Sequence, residues 1–173
     1  MIVYGHGAYY KGLHMVVNKY DRVEFRVLKN EPDIFFRILP EEWQKTIGPI
    51  WEDCKDNACI YVLRNAAEIM AGGIVFSGET PNRTQFEIEK GAPYLALGYY
   101  YIGYLFVDSN YRNQSMGSKW LEAIKKKYPD RSFWLTIEEE GLRFFYEKNG
   151  FKCVSESKDP YTPEWLFVYT PDQ

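Results

Sequence analysis

The sequence predicts a mixed α/β (α+β) domain in which a central sheet is flanked by helices, and three observations support this. The chain has 173 residues, the length of one ordinary domain. Hydrophobic residues make up 46% of it and aromatic residues 18%, which supplies a core and excludes a disordered chain. Segments typical of strands alternate with segments of helical periodicity. We therefore expect a single domain over residues 1–173, with residues 1–30 as a less certain N-terminal extension.

The first half of the chain is expected to form four strands and one helix after residues 1–20, which show no clear pattern. Pro40-Glu41-Glu42 predicts the start of the helix, because proline suits the first helical position and acids suit the positive end of the dipole. Gly48-Pro49 is expected to divide this helix in two, and Gly72-Gly73 predicts a bulge or a close backbone approach. The expected strands are Val23–Leu28, Ile34–Leu39, and a hairpin of Cys59–Arg64 and Ile69–Phe76.

The second half contains the most apolar and aromatic run, Tyr99–Val107, which predicts a central strand. Residues 77–98 before it are expected to be a loop that carries some helix. Gly150 is placed to end a helix in the left-handed conformation, and Leu142, Phe145 and Tyr146 are expected on the buried face of that helix. The remaining expected elements are helices at Gly117–Lys127 and Gly141–Asn149 and strands at Ser132–Ile137, Phe151–Val154 and Trp165–Tyr169.

Charge and composition argue against several classes of protein. The net charge of −3 argues against a nucleic-acid or anionic-membrane binder, and no apolar run approaches the length of a membrane span. Three cysteines without a CxxC pair, together with two histidines near the N-terminus, predict neither a disulfide framework nor a metal site. We therefore expect a cytoplasmic protein with no metal.

The segment that follows the central strand has the character of an anion site. A buried strand that turns tightly into a helix leaves backbone N–H groups unpaired at the positive end of the helix dipole. Ser115, Gly117 and Ser118 are small enough for a phosphate to approach the backbone. Residues 112–128 carry five basic residues and one acidic residue, a local charge of +4. Lys125–Lys127 alone are also explained by the solvated face of a helix.

Two motifs in this half resemble the GNAT superfamily of acyl-CoA-dependent N-acetyltransferases. The family has Arg/Gln-x-x-Gly-x-Gly/Ala after a strand and, further on, Phe-Tyr-Glu-Lys-x-Gly-Phe. The corresponding residues here are Arg112 to Gly117 and Phe145-Tyr146-Glu147-Lys148-Asn149-Gly150-Phe151. The resemblance is strong over Tyr99–Val154 and weaker back to Ile34. It implies a mixed, mostly antiparallel twisted sheet whose central strands splay apart to form the acyl-CoA cleft.

The resemblance also implies a role for each matching position. Phe106 and Val107 would pair through their backbone with the pantetheine arm of acetyl-CoA. Tyr146 would be the general acid that protonates the departing thiolate, which agrees with the ordinary phenol pKa near 10; packing in the core is the alternative for this ring. The diphosphate would lie at the turn formed by Arg112, Asn113, Gln114, Ser115, Met116, Gly117 and Ser118.

Two positions depart from the family pattern. Ser115 replaces the first glycine of the loop, which is costly if that position needs a positive φ. Glu139 stands where many members have an asparagine that contacts the cofactor, and a carboxylate cannot donate as an amide does. Glu139 is either a base or acidic wall for an amine substrate, or a solvated residue at a helix start.

The expected function is transfer of an acetyl group from acetyl-CoA to a primary amine by direct attack. Cys153 is a poor nucleophile candidate, because no histidine lies near it in the sequence. The alternatives are an acyl-CoA-binding regulatory domain with little catalysis and a purely structural module. The acceptor is expected to be a small-molecule or peptide amine, and Tyr99, Tyr100, Tyr101, Tyr104, Trp43 and Trp51 are candidates for its pocket or for the core. A homodimer is compatible with a chain of this size.

Overall fold

The computed structural model of the chain describes residues 22–80 and 82–172. Its centre is a seven-stranded sheet in the order β1-β2-β3-β4-β5-β7-β6. Every neighbouring pair is antiparallel except β4 and β5, which are parallel. The strands are β1 Glu24–Leu28, β2 Ala58–Arg64, β3 Ile69–Phe76, β4 Tyr100–Val107, β5 Phe133–Ile137, β6 Lys152–Glu156 and β7 Trp165–Tyr169. This confirms the mixed, mostly antiparallel sheet; residues 1–21 of the expected N-terminal extension lie outside the described residues.

In the described part of the chain, five α-helices cover the two faces of the sheet: α1 Pro32–Phe36, α2 Glu41–Cys54, α3 Gln85–Ala96, α4 Met116–Lys127 and α5 Arg143–Lys148. One core cluster includes Ile47 and Trp51 of α2 with Ile60 and Ile74 of the sheet. The other includes Trp120 of α4 and Tyr146 of α5, on the opposite face. Of the described helices, none is long and apolar enough to cross a membrane.

The glycine pair of β3 allows helices to approach both faces of the sheet. A Cβ on Gly72 would lie 2.5 Å from the ring of Phe35 in α1, and a Cβ on Gly73 would lie 2.8 Å from the ring of Trp120 in α4. The register between β3 and β4 also shifts between Gly72 and Ile74. The pair therefore serves the predicted close approach, and Gly73 lies opposite the extra residue of the neighbouring strand β4.

Three local predictions are wrong. Residues 34–39 form the end of α1 and a turn, because Pro32 takes a first-turn position and Phe35, Phe36 and Leu39 are buried at helical spacing. Helix α2 continues through Pro49. Proline removes one backbone hydrogen bond of the helix, and the burial of Ile47 and Trp51 in one core, on either side of Pro49, offsets that loss of stability. Leu142 is 40% exposed, because it ends a short 3₁₀ turn before α5 begins.

Candidate functional site

Strands β4 and β5 separate soon after they begin. They pair only at Tyr100–Phe133 and Tyr101–Trp134, near the first residues of each strand. Beyond these pairs a cavity of about 560 Å³ opens, lined by residues 101–105 of β4 and by Thr136 and Ile137 of β5. The predicted splay between the central strands is therefore present.

A bulge in β4 directs the end of this strand. Tyr104 has a φ of 56°, and two β4 residues lie between the β3-paired positions Gly103 and Phe106, where β3 has one. The N–H of Asp108 donates to the carbonyl of Met70 in β3. The Val107 carbonyl, on the same peptide group, therefore points away from β3, and the Arg112 guanidinium donates to it across 3.4 Å. Val107 thus turns its backbone acceptor away from β3 and toward the Arg112 side chain.

The turn between β4 and α4 contains a run of free backbone donors. None of the N–H groups from Asn113 to Ser118 donates a well-formed hydrogen bond to another residue of the described chain. Asn113 and Ser115 have φ angles of 61° and 59°, and the left-handed turns direct successive N–H groups into a concave site. This arrangement at the start of α4 suits an anion.

The other side chains of this turn hold it in shape. The amide of Gln114 donates to the carbonyl of Asn110, the guanidinium of Arg112 lies over the Phe106 ring, and Met116 is buried. Gly117 is required by packing, because a Cβ there would lie 2.9 Å from the ring of Phe145. The turn therefore offers backbone groups, rather than most of its side chains, to a ligand.

Replacing Ser115 with glycine is expected to stabilise the protein. The left-handed conformation strains an L-residue by roughly 1–2 kcal/mol, and the greater freedom of glycine in the unfolded chain offsets part of the gain. We expect Ser115→Gly to raise the free energy of unfolding by about 0.5–1 kcal/mol, measured by urea denaturation. Ser118→Gly is the control and should destabilise, since Ser118 lies inside α4. A loss of stability in Ser115→Gly would contradict the strain.

The start of α4 is joined to the end of α5 through Asn149. Its side-chain amide donates to the Ser118 hydroxyl at 3.0 Å and to the Phe145 carbonyl at 2.8 Å, and Lys125 donates to its backbone carbonyl. Lys125 also lies 4.1 Å from the centre of the Tyr169 ring, and burial lowers its pKa. Lys125 is thus part of the α4–α5 contact, whereas Lys126 pairs with Glu122 on the solvated face.

Tyr146 lies at the inner wall of the cavity. Its ring packs against Phe145, Phe151 and Phe167, with centroids 4.9, 5.8 and 5.9 Å away. The side chain is 8% exposed, and its hydroxyl has no hydrogen-bond partner among the described residues. Burial raises the pKa of Tyr146 well above the ordinary tyrosine value, so the phenol holds its proton at neutral pH. The ring packs in the core while the residue lines the cavity.

The other predicted side chains divide between the cavity and the rest of the fold. Glu139 lines the cavity and is exposed. Trp43, Tyr101 and Tyr104 also line it, whereas Trp51 packs against Phe36 in the core. Tyr99 packs against Tyr94 and Tyr100 against Tyr128, and neither Tyr99 nor Tyr100 lines the cavity. Within the described ranges, no group of three His, Cys, Asp or Glu side chains could hold a metal ion.

The sequence interpretation missed Glu87, which lies where β4 and β5 separate. This carboxylate is 7% exposed and accepts from Tyr101 Oη at 2.9 Å and from Thr136 Oγ1 at 2.5 Å. It also completes a capping box at the start of α3 with Thr84, whose N–H donates to it at 3.0 Å. Glu87 therefore ties α3 to both splayed strands. The Thr-x-x-Glu spacing was the signal that could have located the start of α3.

Comparisons with known proteins agree with this geometry. The acetyltransferase (GNAT) domain family matches residues 56–153. A GNAT acetyltransferase of Elizabethkingia anophelis, solved with acetyl-CoA bound, is similar at TM-score 0.58 and 13% identity over 87% of this chain and 99% of that one. The ribosomal-protein-S18-alanine N-acetyltransferase of Escherichia coli is similar at TM-score 0.63 and 13% identity, over 88% and 96%.

An acetyltransferase of Bacillus subtilis in complex with CoA gives TM-score 0.61 and 11% identity, over 86% of this chain and 99% of that one. No curated protein sequence gave a significant match. Structural similarity at such low sequence identity shows the fold. The match to the family covers more than half of the chain. The protein thus belongs to the GNAT family of acetyltransferases.

Proposed function

We propose that the protein transfers an acetyl group from acetyl-CoA to a primary amine. The observation that carries this proposal is the run of free N–H groups from Asn113 to Ser118, where Gly117 packs against Phe145, the neighbour of the cavity residue Tyr146. The diphosphate would accept hydrogen bonds from these groups, and the pantetheine arm would follow β4 along Phe106 and Val107. The thioester would then lie where β4 and β5 separate.

The chemistry needs a proton donor for the sulfur and acceptors for two protons of the amine. The neutral amine attacks the thioester carbonyl carbon, a C–N bond forms, and the C–S bond breaks. Tyr146 donates its proton to the leaving sulfur, and its phenolate takes back the proton that the new amide nitrogen loses; burial keeps the phenol protonated before the reaction. Glu139, exposed at the cavity, is the carboxylate we assign to take the proton from the incoming ammonium.

Removing the diphosphate from the ligand is expected to weaken binding strongly. Hydrogen bonds to a charged group contribute about 1.5–3 kcal/mol each, so two lost bonds correspond to about 100-fold or more in Kd. Calorimetry should therefore show acetyl-CoA binding at least about 100-fold more tightly than S-acetylpantetheine, which lacks the diphosphate and the nucleotide. Raising the ionic strength should narrow the difference.

The same samples test the reaction itself. Thiol release from acetyl-CoA in the presence of a panel of amines is the expected result. Binding without thiol release would support an acyl-CoA-binding domain without catalysis. Equal affinity for the two thioesters would contradict the assignment of the turn.

A further inference from the structure

The cavity beside Tyr146 is lined by acidic residues, and no basic residue of the described chain lines it. Four glutamates line it, while none of the other lining residues is Lys, Arg or His: Glu42, Glu87, Glu138 and Glu139. None of these four carboxylates forms an ion pair within residues 22–80 and 82–172. The potential in the cavity is therefore negative, and no described side chain compensates it. The four acids of the cavity stand out against a net charge of only −3 for the whole protein.

The outer wall of the same cavity is aromatic. Trp43 packs edge-on against Tyr104 and Phe106, with ring centroids 5.8 and 6.2 Å apart, and Trp43 remains 38% exposed. Burial raises the pKa of Tyr104 to about 12, so this ring adds no negative charge of its own at neutral pH. Exposed indole and phenol faces attract organic cations.

The inner wall has polar groups that are already oriented. Glu87 accepts hydrogen bonds from neutral donors only, so no cationic side chain of the described residues is paired with it. The Tyr146 hydroxyl belongs to a side chain more than nine-tenths buried and has no partner among the described residues, although it lines the cavity. The hydroxyl oxygen itself is open to the cavity rather than sealed in the core, so a ligand in the chamber can reach it.

From these features we infer that the acceptor is a small linear amine that carries at least two positive charges, a diamine or polyamine. The inference rests on the proposed function. One amine must lose its proton to attack the thioester, and after that step a monoamine has no charge left for the carboxylates. A diamine keeps its second ammonium group, which the cavity acids would hold while the first reacts. A volume of about 560 Å³ suits a small molecule.

A neighbouring surface cavity extends the acidic surface. It measures about 900 Å³, and Thr84 and Glu138 line both cavities. Among the residues that line it are four further acids and two lysines, so its charge is also negative: Glu89, Glu156, Asp159, Glu164, Lys90 and Lys158. A chain longer than the first cavity would therefore continue along an acidic surface.

Three amines with the same four-carbon chain test this inference: putrescine with two ammonium groups, n-butylamine with one, and γ-aminobutyrate with an added carboxylate. Using the full chain and thiol release, we expect kcat/KM for putrescine to exceed that for n-butylamine by about 10-fold or more, with γ-aminobutyrate slowest. Higher ionic strength should reduce the putrescine preference.

Two exposed acids of the cavity, Glu42 and Glu138, provide the variant. The double variant Glu42→Gln, Glu138→Gln should lower kcat/KM for putrescine by about 10-fold more than it lowers that for n-butylamine. Glu41→Gln is the matched control, since Glu41 is exposed on the same helix turn, pairs with Lys45 and does not line the cavity. This control should keep the full preference.

Several results would overturn the inference. Equal kcat/KM for putrescine and n-butylamine would do so while leaving the acetyl transfer intact. Acetyl-CoA binding in calorimetry without acetylation of any of the three amines would also overturn it, as would faster turnover of a lysine-rich peptide than of putrescine. Failure to bind acetyl-CoA would instead remove the proposed function on which the inference rests.

Discussion

Replacing Tyr146 with phenylalanine is expected to lower kcat for acetyl transfer by about 100-fold or more. A positioned general acid contributes typically about 10²- to 10⁴-fold, and the variant removes only the hydroxyl that would protonate the leaving thiolate. The ring packs against Phe145, Phe151 and Phe167, and the hydroxyl has no partner in the described chain, so packing should be retained. Stability and acetyl-CoA affinity should therefore change little.

Steady-state kinetics, calorimetry and urea denaturation together separate these effects. Tyr169→Phe is the control, because Tyr169 also packs against Phe151 but does not line the cavity. Burial raises the pKa of Tyr146, and the acid is active in its protonated form below that pKa. Deprotonation of Tyr146 should thus not lower the wild-type kcat at any pH up to at least about 10, the ordinary pKa of tyrosine. Unchanged kcat in Tyr146→Phe would remove the acid role.

Replacing Glu87 with alanine is expected to cost about 3 kcal/mol of unfolding free energy. The carboxylate is buried and accepts from Tyr101, Thr136 and the N–H of Thr84. Removing it leaves buried donors unsatisfied, each at about 1–3 kcal/mol, and removes half of the α3 capping box. Because these donors lie on β4, β5 and α3, the junction between the splayed strands should loosen as well.

Urea denaturation measures this loss, with Glu89→Ala as the control. Glu89 lies two residues along α3, is exposed, and accepts only from Gln85, so its removal should cost less than about 0.5 kcal/mol. Glu87→Gln should be intermediate, because the amide oxygen can still accept from Tyr101 and Thr136, while the amide NH₂ cannot accept from Thr84. If Glu87→Ala unfolds like Glu89→Ala, Glu87 does not join the three elements.

Most elements of the fold could be predicted because their pattern is local. The hairpin of β2 and β3, the apolar run of β4 and the helix at 116–127 all carry continuous periodicity or turn residues. The prediction of a strand at residues 34–39 is wrong, because a short apolar run fits both the helical and the strand periodicity. Only packing against the sheet decides which of the two forms. The prediction that Gly48-Pro49 divides α2 in two is wrong for a similar reason: the cost of proline is local, whereas the burial of Ile47 and Trp51 is not.

Some residues of the candidate site could likewise be found from the sequence, whereas others could be found only from the structure. The turn at 112–118 and Tyr146 were located by motif, and their roles stay proposals. Ser115 was recognised as a departure, but only the backbone showed that its φ is positive. Glu87 was missed, because its partners Tyr101 and Thr136 lie 14 and 49 residues away in the chain.

Family, most of the element order and the two motifs could be read from the residues alone, since each depends on neighbours within a few positions of the chain. The folded chain alone revealed how far β4 and β5 separate and which backbone donors remain free. It also brought four acids into the Tyr146 cavity, from α2, from α3 and from the end of β5. These features depend on contacts between distant segments, whose geometry is decided by packing in the whole sheet rather than by any local pattern.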